Sequence, residues 1–220
     1  MVSVSERPFH RGLDRAAVLA AALKVLDTEG RPALTMRRIA SELDVEAASL
    51  YTHVRNKDAI VDGVLDLVLD EVALPPADLP WRPAITAGWT HYRAALLAHP
   101  EAVPLLTERA ARSPSQLRLV ERSISLLESS GLSTPFAVQA HVALVAFTLG
   151  FVFQEVGRSP GVAPELLQSN PVVRRAISAL LEVPVDDRFR AGLDFILDGV
   201  ESQLQTQRGP GPNPRRSQST

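Results

Sequence analysis

The sequence predicts an all-α fold: an N-terminal three-helix unit with a helix-turn-helix, joined by a long helix to a larger C-terminal helical body. Three observations predict it. Apolar residues recur at three- and four-residue spacings along most of the chain. Helix-capping residues open these stretches (Asp14, Thr35, Asn56, and Thr134 followed by Pro135), and glycines close several of them (Gly30, Gly131, Gly157). No alternating polar–apolar run of useful strand length interrupts the pattern.

The first helix is expected over 14–29, where Leu19, Leu23 and Leu26 fall at i, i+4 and i+7 beside Ala22 and Val25. Thr35 starts a second helix, with Ile39, Ala40 and Leu43 on its buried side. Asp44, Val45 and Glu46 form a tight break, and a short third helix follows at 47–53. Asn56 caps a long fourth helix reaching about Leu74, with Asp58 placed well for the positive end of the helix dipole. Its stripe is Val61, Val64, Leu65, Val68 and Val72. Pro75, Pro76, Pro80 and Pro83 mark a loop and the start of a helix at 83–99. Further helices are expected at 102–112, 115–130 and 134–156. A loop at 158–164 leads into a helix at 165–181, broken at Asn170 and Pro171, and a final helix spans 186–205. The expected organisation is a flexible arm at 1–12, a helix-turn-helix unit at 13–60, a ligand-binding and dimerisation body at 61–206 and a disordered tail at 207–220.

Composition narrows the function. With no cysteine, disulfides and thiolate chemistry are excluded, and a reducing compartment fits. There is no run of 18 uncharged apolar residues and no apolar segment near the start, so neither a membrane span nor a secretory signal is expected, and the cytoplasm is the expected location. The net charge of −2 does not mark a nucleic-acid binder. Residues 1–60 hold nine Lys/Arg against eight Asp/Glu, and the remainder holds fourteen against seventeen. Positive charge is thus slightly concentrated at the N-terminal end. The five histidines are scattered, so no metal site and no cofactor are expected. The chain also lacks a nucleophile elbow, a phosphate loop and an H-E-x-x-H motif, so no enzyme is expected.

Residues 34–64 read LTMRRIASELDVEAASLYTHVRNKDAIVDGV. Helix, three-residue turn, short helix and a new cap make helix-turn-helix geometry. Ala47, Ala48, Ser49, Thr52 and His53 put small and polar side chains on the second helix, where the backbone can approach base edges in a major groove. Tyr51 and Lys57 flank it within reach of phosphates. The pattern alone also fits a plain helical hairpin with a solvated polar face.

The same segment resembles the N-terminal signature of the TetR repressors, T-x-R-x-I/L-A-x-x-L followed by L-Y-x-H-V-x-N-K-x-x-L/I. The resemblance implies that Thr35, Arg37, Ala47, Ala48, Ser49, Tyr51, Thr52, His53 and Lys57 fall at DNA-contact positions. Arg37 would read a guanine, with an ion pair to Glu42 or Asp44 as the rival role. Arg7 and Arg11 could enter a minor groove, or simply belong to a disordered terminus. Asp44 stands where this family usually has glycine; aspartate tolerates a left-handed backbone, so the turn is expected to survive at small cost.

The likeness extends into the body. Trp81, the Tyr92–Arg93–x–x–Leu96–Leu97 segment, Phe147 to Gly150, Gly192 to Asp194 and Gln203–Leu204 resemble the C-terminal domain of the tetracycline repressors. A homodimer is implied, paired through the helix at 134–156 and the final helix. Ala143, Ala146 and Gly150 offer a small-residue strip, and Phe189, Leu193, Ile196, Val200 and Leu204 a coiled-coil-like seam. Filling a monomer's own core is the other reading of both helices.

Polar residues within apolar helices mark a ligand pocket: His91, Ser123, Gln139, His141, Thr148 and Gln154, with Trp89, Tyr92, Phe136, Phe147 and Phe151 as apolar walls. Trp89, Tyr92, Ser123, Gln139, His141, Phe147 and Phe151 are the chosen lining residues. Compared with the family, Ala73, Gly88 and the region of Leu106 take the places of its drug- and magnesium-binding histidines and asparagine, and Ser123 replaces a glutamine. Tetracycline is therefore not the expected effector. The expected function is a repressor that binds a near-palindromic double-stranded operator as a homodimer and is released by a small molecule. An activator, or a ligand-binding module without DNA binding, is the alternative.

Overall fold

The computed structural model describes residues 13–108, 113–157 and 169–208. The arm at 1–12, the loop at 158–164, the start of the helix at 165–181 and most of the tail lie outside the described residues. Ten α-helices and no strand occur among those described. The chain divides into two compact units, residues 1–71 with 99–114, and residues 72–98 with 115–220. The expected joint at 60/61 lies inside a helix that belongs wholly to the first unit.

The first unit contains α1 (Arg15–Glu29), α2 (Met36–Glu42), α3 (Ala47–Leu50), α4 (Lys57–Asp70) and α6 (Val103–Glu108). Asp14 caps α1 by accepting from the Ala17 N–H at 2.7 Å. Gly30, at φ 77°, ends it with its N–H donated to the Leu26 carbonyl. Val18, Ala22, Val25 and Leu26 of α1 are fully buried, packed with the Ile60, Val64 and Val68 face of α4. Each such valine or larger aliphatic side chain contributes about 1.5–3 kcal/mol. Asn56 caps α4 by accepting from Ala59 N–H at 2.9 Å. The helix stops at Asp70, four residues short of expectation. His99 closes this unit, with Nδ1 2.8 Å from Asp27 Oδ2 and Nε2 3.1 Å from Glu71 Oε1.

The second unit contains α5 (Trp81–Ala98), α7 (Pro114–Ser129), α8 (Thr134–Glu155), α9 (Pro171–Glu182) and α10 (Val185–Arg208). Ser133, not Thr134, takes the N-cap position of α8; the Thr134 hydroxyl donates to Glu128 instead. The last helix runs to Arg208, so the first two residues of the expected tail are helical. The core brings together Ile85 and Trp89 of α5, Leu127 of α7, Leu144 of α8, and Phe189, Leu193 and Leu197 of α10. Arg82 fastens the start of α5 to α10 through Asp194, Asp198 and Glu201. Arg93 is buried, pairs with Glu155 and Asp186, and lies 4.9 Å from the Phe189 ring centroid.

By length and composition α8 is apolar enough to cross a bilayer. Gln139, His141 and Thr148 interrupt the apolar run without adding charge, which hid this in the sequence. In the second unit one face of α8 packs against α5 and α10.

Candidate nucleic-acid interface and effector pocket

The reading head is built on α2, α3 and the start of α4. The Thr35 hydroxyl accepts from Arg38 N–H at 3.2 Å, so Thr35 caps α2 while remaining exposed. Asp44 has φ 53°, and Val45 N–H reaches back to the Ala40 carbonyl at 3.0 Å to close the turn. Leu50 and Val54 anchor the second limb in the interior. The regular part of α3 ends at Leu50, shorter than the expected 47–53, and residues 51–53 continue as hydrogen-bonded turns.

This arrangement leaves Tyr51 56 % exposed, with Ala48, Thr52 and Lys57 also exposed and Ala47, Ser49 and His53 half-buried. The Thr52 hydroxyl donates to the Ser49 carbonyl at 2.7 Å. The nine expected DNA-contact residues therefore fall in one short stretch of the first unit, none of them buried.

Electrostatics separate the two neighbouring arginines. Arg38 is held by Glu29 and Glu42, and Lys24 also pairs with Glu42. These cations, Lys24 foremost, keep the Glu42 carboxyl below the usual carboxylate range. Glu42 is thus engaged elsewhere, and Arg37 makes no ion pair among the described residues. Sequence reasoning passed over Arg55, which is exposed beside Lys57. Its signal was the Arg–Asn–Lys triplet at the cap of α4, which places two cations at the positive end of that helix.

The seven expected pocket residues divide into four groups. Trp89 is buried, with the Tyr92 ring edge-on at 5.4 Å and the His141 ring at 5.8 Å. Burial pushes the Tyr92 hydroxyl up to about 12 and holds the His141 imidazole below its ordinary range. Phe147 and Phe151 instead stack around Phe189 at 5.4 and 5.2 Å, with Arg93 over Phe151 and Phe189. Gln139 is exposed in a groove of about 240 Å³ between α8 and α10, beside Phe136, Ala143, Ile196 and Gly199. Of the wider set, His91 is taken up by a bond to the Ala73 carbonyl at 2.7 Å, and Gln154 is exposed. Ser123 is buried with an unpaired hydroxyl.

The dimer seam also changes. Phe189, Leu193, Val200 and Leu204 are buried in their own subunit's core, at 2, 0, 5 and 7 % exposure. Ile196 alone of the five is half-buried, and it lines the groove with Val200. A four-and-three spacing marks a buried face without saying which body buries it. The apolar surface that remains lies on the other side of these helices. Val142 is 58 % and Phe195 78 % exposed, and Ala143, Ala146 and Gly150 are exposed as well.

Comparison with known proteins agrees with this geometry. Residues 18–64 match the family described as bacterial regulatory proteins, tetR family, and residues 75–204 match the tetracyclin repressor-like C-terminal domain. The class A tetracycline repressor protein of Escherichia coli is 32 % identical over 204 residues, covering 89 % of this chain and 94 % of its own. Apo ActR from Streptomyces coelicolor superposes with a TM-score of 0.76 at 28 % identity, covering 89 % of this chain and 98 % of ActR. ActR in complex with actinorhodin gives 0.74 at 30 % identity, over 87 % and 98 %. BioQ of Mycobacterium smegmatis, with its natural double-stranded DNA operator, gives 0.66 at 30 % identity, over 86 % and 98 %.

Proposed function

The chain belongs to the TetR family of bacterial regulators, and from that premise we propose that it is a repressor which binds a near-palindromic operator as a homodimer and is released by a small molecule. Its family consists of DNA-binding transcriptional regulators, not enzymes. The observation that carries the reading is the exposed Tyr51 to Lys57 surface, set on a turn closed at Asp44 and anchored inside by Leu50 and Val54. In this reading Thr35, Ala47, Ala48, Ser49, Thr52 and His53 approach the major groove, Arg37 reads a base edge, and Tyr51, Arg55 and Lys57 hold phosphates.

Residues 13–60 act as the reading head, and residues 61–206 take the effector and the second subunit. The exposed strip of Val142, Ala143, Ala146 and Gly150, with Phe195, supports pairing through the outer faces of α8 and α10. Two paired heads about 34–36 Å apart would meet successive major grooves on one side of the duplex. The effector binds near Trp89, Tyr92 and His141, and ActR bound to actinorhodin supports such a role for the body. The chain runs from α4 into α5 through residues 71–80, so repacking around α5 can act on α4. A coupling of about 1–3 kcal/mol would weaken operator binding about 5–150-fold. The protein works in the cytoplasm, where its DNA lies.

Footprinting of the purified protein on genomic fragments tests the reading. Protection of two half-sites about one helical turn apart, lost on adding an effector, is expected. Failure to retard any fragment at low salt would overturn it.

A further inference from the structure

The second limb of the turn, α3 with the hydrogen-bonded residues 51–53, turns a narrow set of groups outward. Between Ala47 and Thr52 no side chain carries an amide, a guanidinium, an ammonium or a carboxylate. Those are the groups that form paired hydrogen bonds with guanine or adenine edges or accept from cytosine. Leu50 and Val54 are buried, and Ala48 and Thr52, each two residues earlier, lie exposed on the opposite face about one turn apart. Tyr51 is exposed beside them.

The Thr52 hydroxyl spends its proton on the Ser49 carbonyl, 2.7 Å away. It has no hydrogen left to donate to a base, so Thr52 offers a γ-methyl and an oxygen that can only accept. Ala48 offers a methyl alone. At the helical rise the two residues stand about 6 Å apart along the axis, a span of less than two base steps. The apolar group on the major-groove edge of DNA is the C5-methyl of thymine. Cytosine carries a hydrogen there unless that carbon is methylated.

Resting on the reading that this head enters a major groove, we infer that α3 and the turn after it recognise the C5-methyl group of a pyrimidine, thymine and 5-methylcytosine alike, through the methyls of Ala48 and Thr52. A methyl contact has no donor or acceptor to satisfy. It is therefore indifferent to the exchange of the thymine O4 acceptor for the cytosine N4 donor that distinguishes those two bases. Hydrogen-bonded base reading is left to Arg37 on α2, which makes no ion pair among the described residues. An operator methylated at cytosine C5 under this surface would be bound more tightly than the same sequence without the methyl.

Gel retardation of the footprinted operator by the full-length protein tests this. Each thymine of the duplex is replaced in turn by deoxyuridine, which lacks only the C5-methyl. At one or two positions in each half-site the replacement should weaken binding about fourfold. At those positions a 5-methylcytosine–guanine pair should bind about fourfold more tightly than a cytosine–guanine pair. Two variants locate the contact: Ala48→Gly, and Thr52→Ser, which keeps the hydroxyl and its bond to Ser49. The readout is the ratio of thymine to deoxyuridine affinity within one variant, so a smaller active fraction cancels. That ratio should fall to about one at a sensitive position in at least one variant. The inference is overturned if no thymine is sensitive, if 5-methylcytosine binds no better than cytosine, or if both variants keep the full ratio; each of these leaves operator binding itself intact. A protein that retards no fragment removes the operator-binding reading, and this inference with it.

Discussion

Gly192 of α10 lies directly beneath the ring of Phe147 of α8, with no room between them for a β-carbon. The Phe147 ring cannot yield freely, because it is stacked on Phe189 at 5.4 Å and packed against Phe151 at 5.6 Å. Gly192→Ala should therefore destabilise the second unit by about 1–3 kcal/mol of overpacking, less about 1 kcal/mol gained in helix propensity. A lower thermal midpoint for Gly192→Ala, largely restored by Phe147→Leu in the same chain, is the expected result.

Asp44 is the one non-glycine residue with positive φ among those described. A left-handed backbone costs an ordinary L-residue roughly 1–2 kcal/mol, and aspartate less. Asp44→Gly should raise stability by about 0.5–1 kcal/mol, the greater backbone freedom of glycine in the unfolded chain offsetting part of the gain. Equilibrium urea unfolding reads the difference. A destabilised variant would show that the aspartate side chain supports the turn in another way.

Much of this was legible in the sequence where a local rule decides. Asp14, Asn56 and Gly30 cap or stop their helices because orphaned N–H and carbonyl groups need partners within one turn. The α4 stripe from Val61 to Val68 is buried as its periodicity requires. The candidate reading head was legible for the same reason, since its residues are contiguous. What the sequence could not fix is which body covers an apolar face. Leu193 and Val200 carry the spacing of a dimer seam yet lie in their own subunit's core, and Gln139 sits among pocket-like residues yet faces the outer groove. Arg37 and Arg38 were likewise indistinguishable until Glu29 and Glu42 were seen to hold only the second.

That distinction makes the roles of individual cations at the operator separable. Lys57→Ala should weaken binding to all sequences alike. It should reduce the slope of log K against log salt by about 0.9 for each phosphate no longer neutralised. Arg37→Ala should instead cost about 1–3 kcal/mol at one base pair and relax preference there. Titrations over a salt series, with single-base operator variants, check both. An unchanged salt slope for Lys57→Ala would remove that residue from the phosphate-binding set.

His141 supplies a pH dependence. Burial holds its imidazole below the unfolded value, so between the two the unfolded chain binds more protons than the folded one. The contribution is fully present above about pH 6.5, the unfolded value, and is lost progressively as pH falls toward the folded one. His141→Asn should flatten that part of the stability profile between neutral and mildly acidic pH. Parallel profiles for the parent and the variant would show that the ring is solvated.

The two sides of α8 and α10 make opposite predictions. Ala146 is exposed on α8 beside the similarly exposed Ala143 and Gly150, so Ala146→Glu should leave the subunit folded. In a dimer paired through that strip, each subunit would press a carboxylate into an apolar contact, an unpaired charge costing several kcal/mol. Sedimentation should then show monomers, with operator affinity falling sharply because one head reaches only one half-site. Leu193→Ala should behave in the reverse way. Leu193 is fully buried in its own core, so its truncation should cost about 2–5 kcal/mol of subunit stability while the folded fraction remains dimeric. A dimeric Ala146→Glu protein together with a monomeric, fully stable Leu193→Ala protein would return the interface to the inner seam.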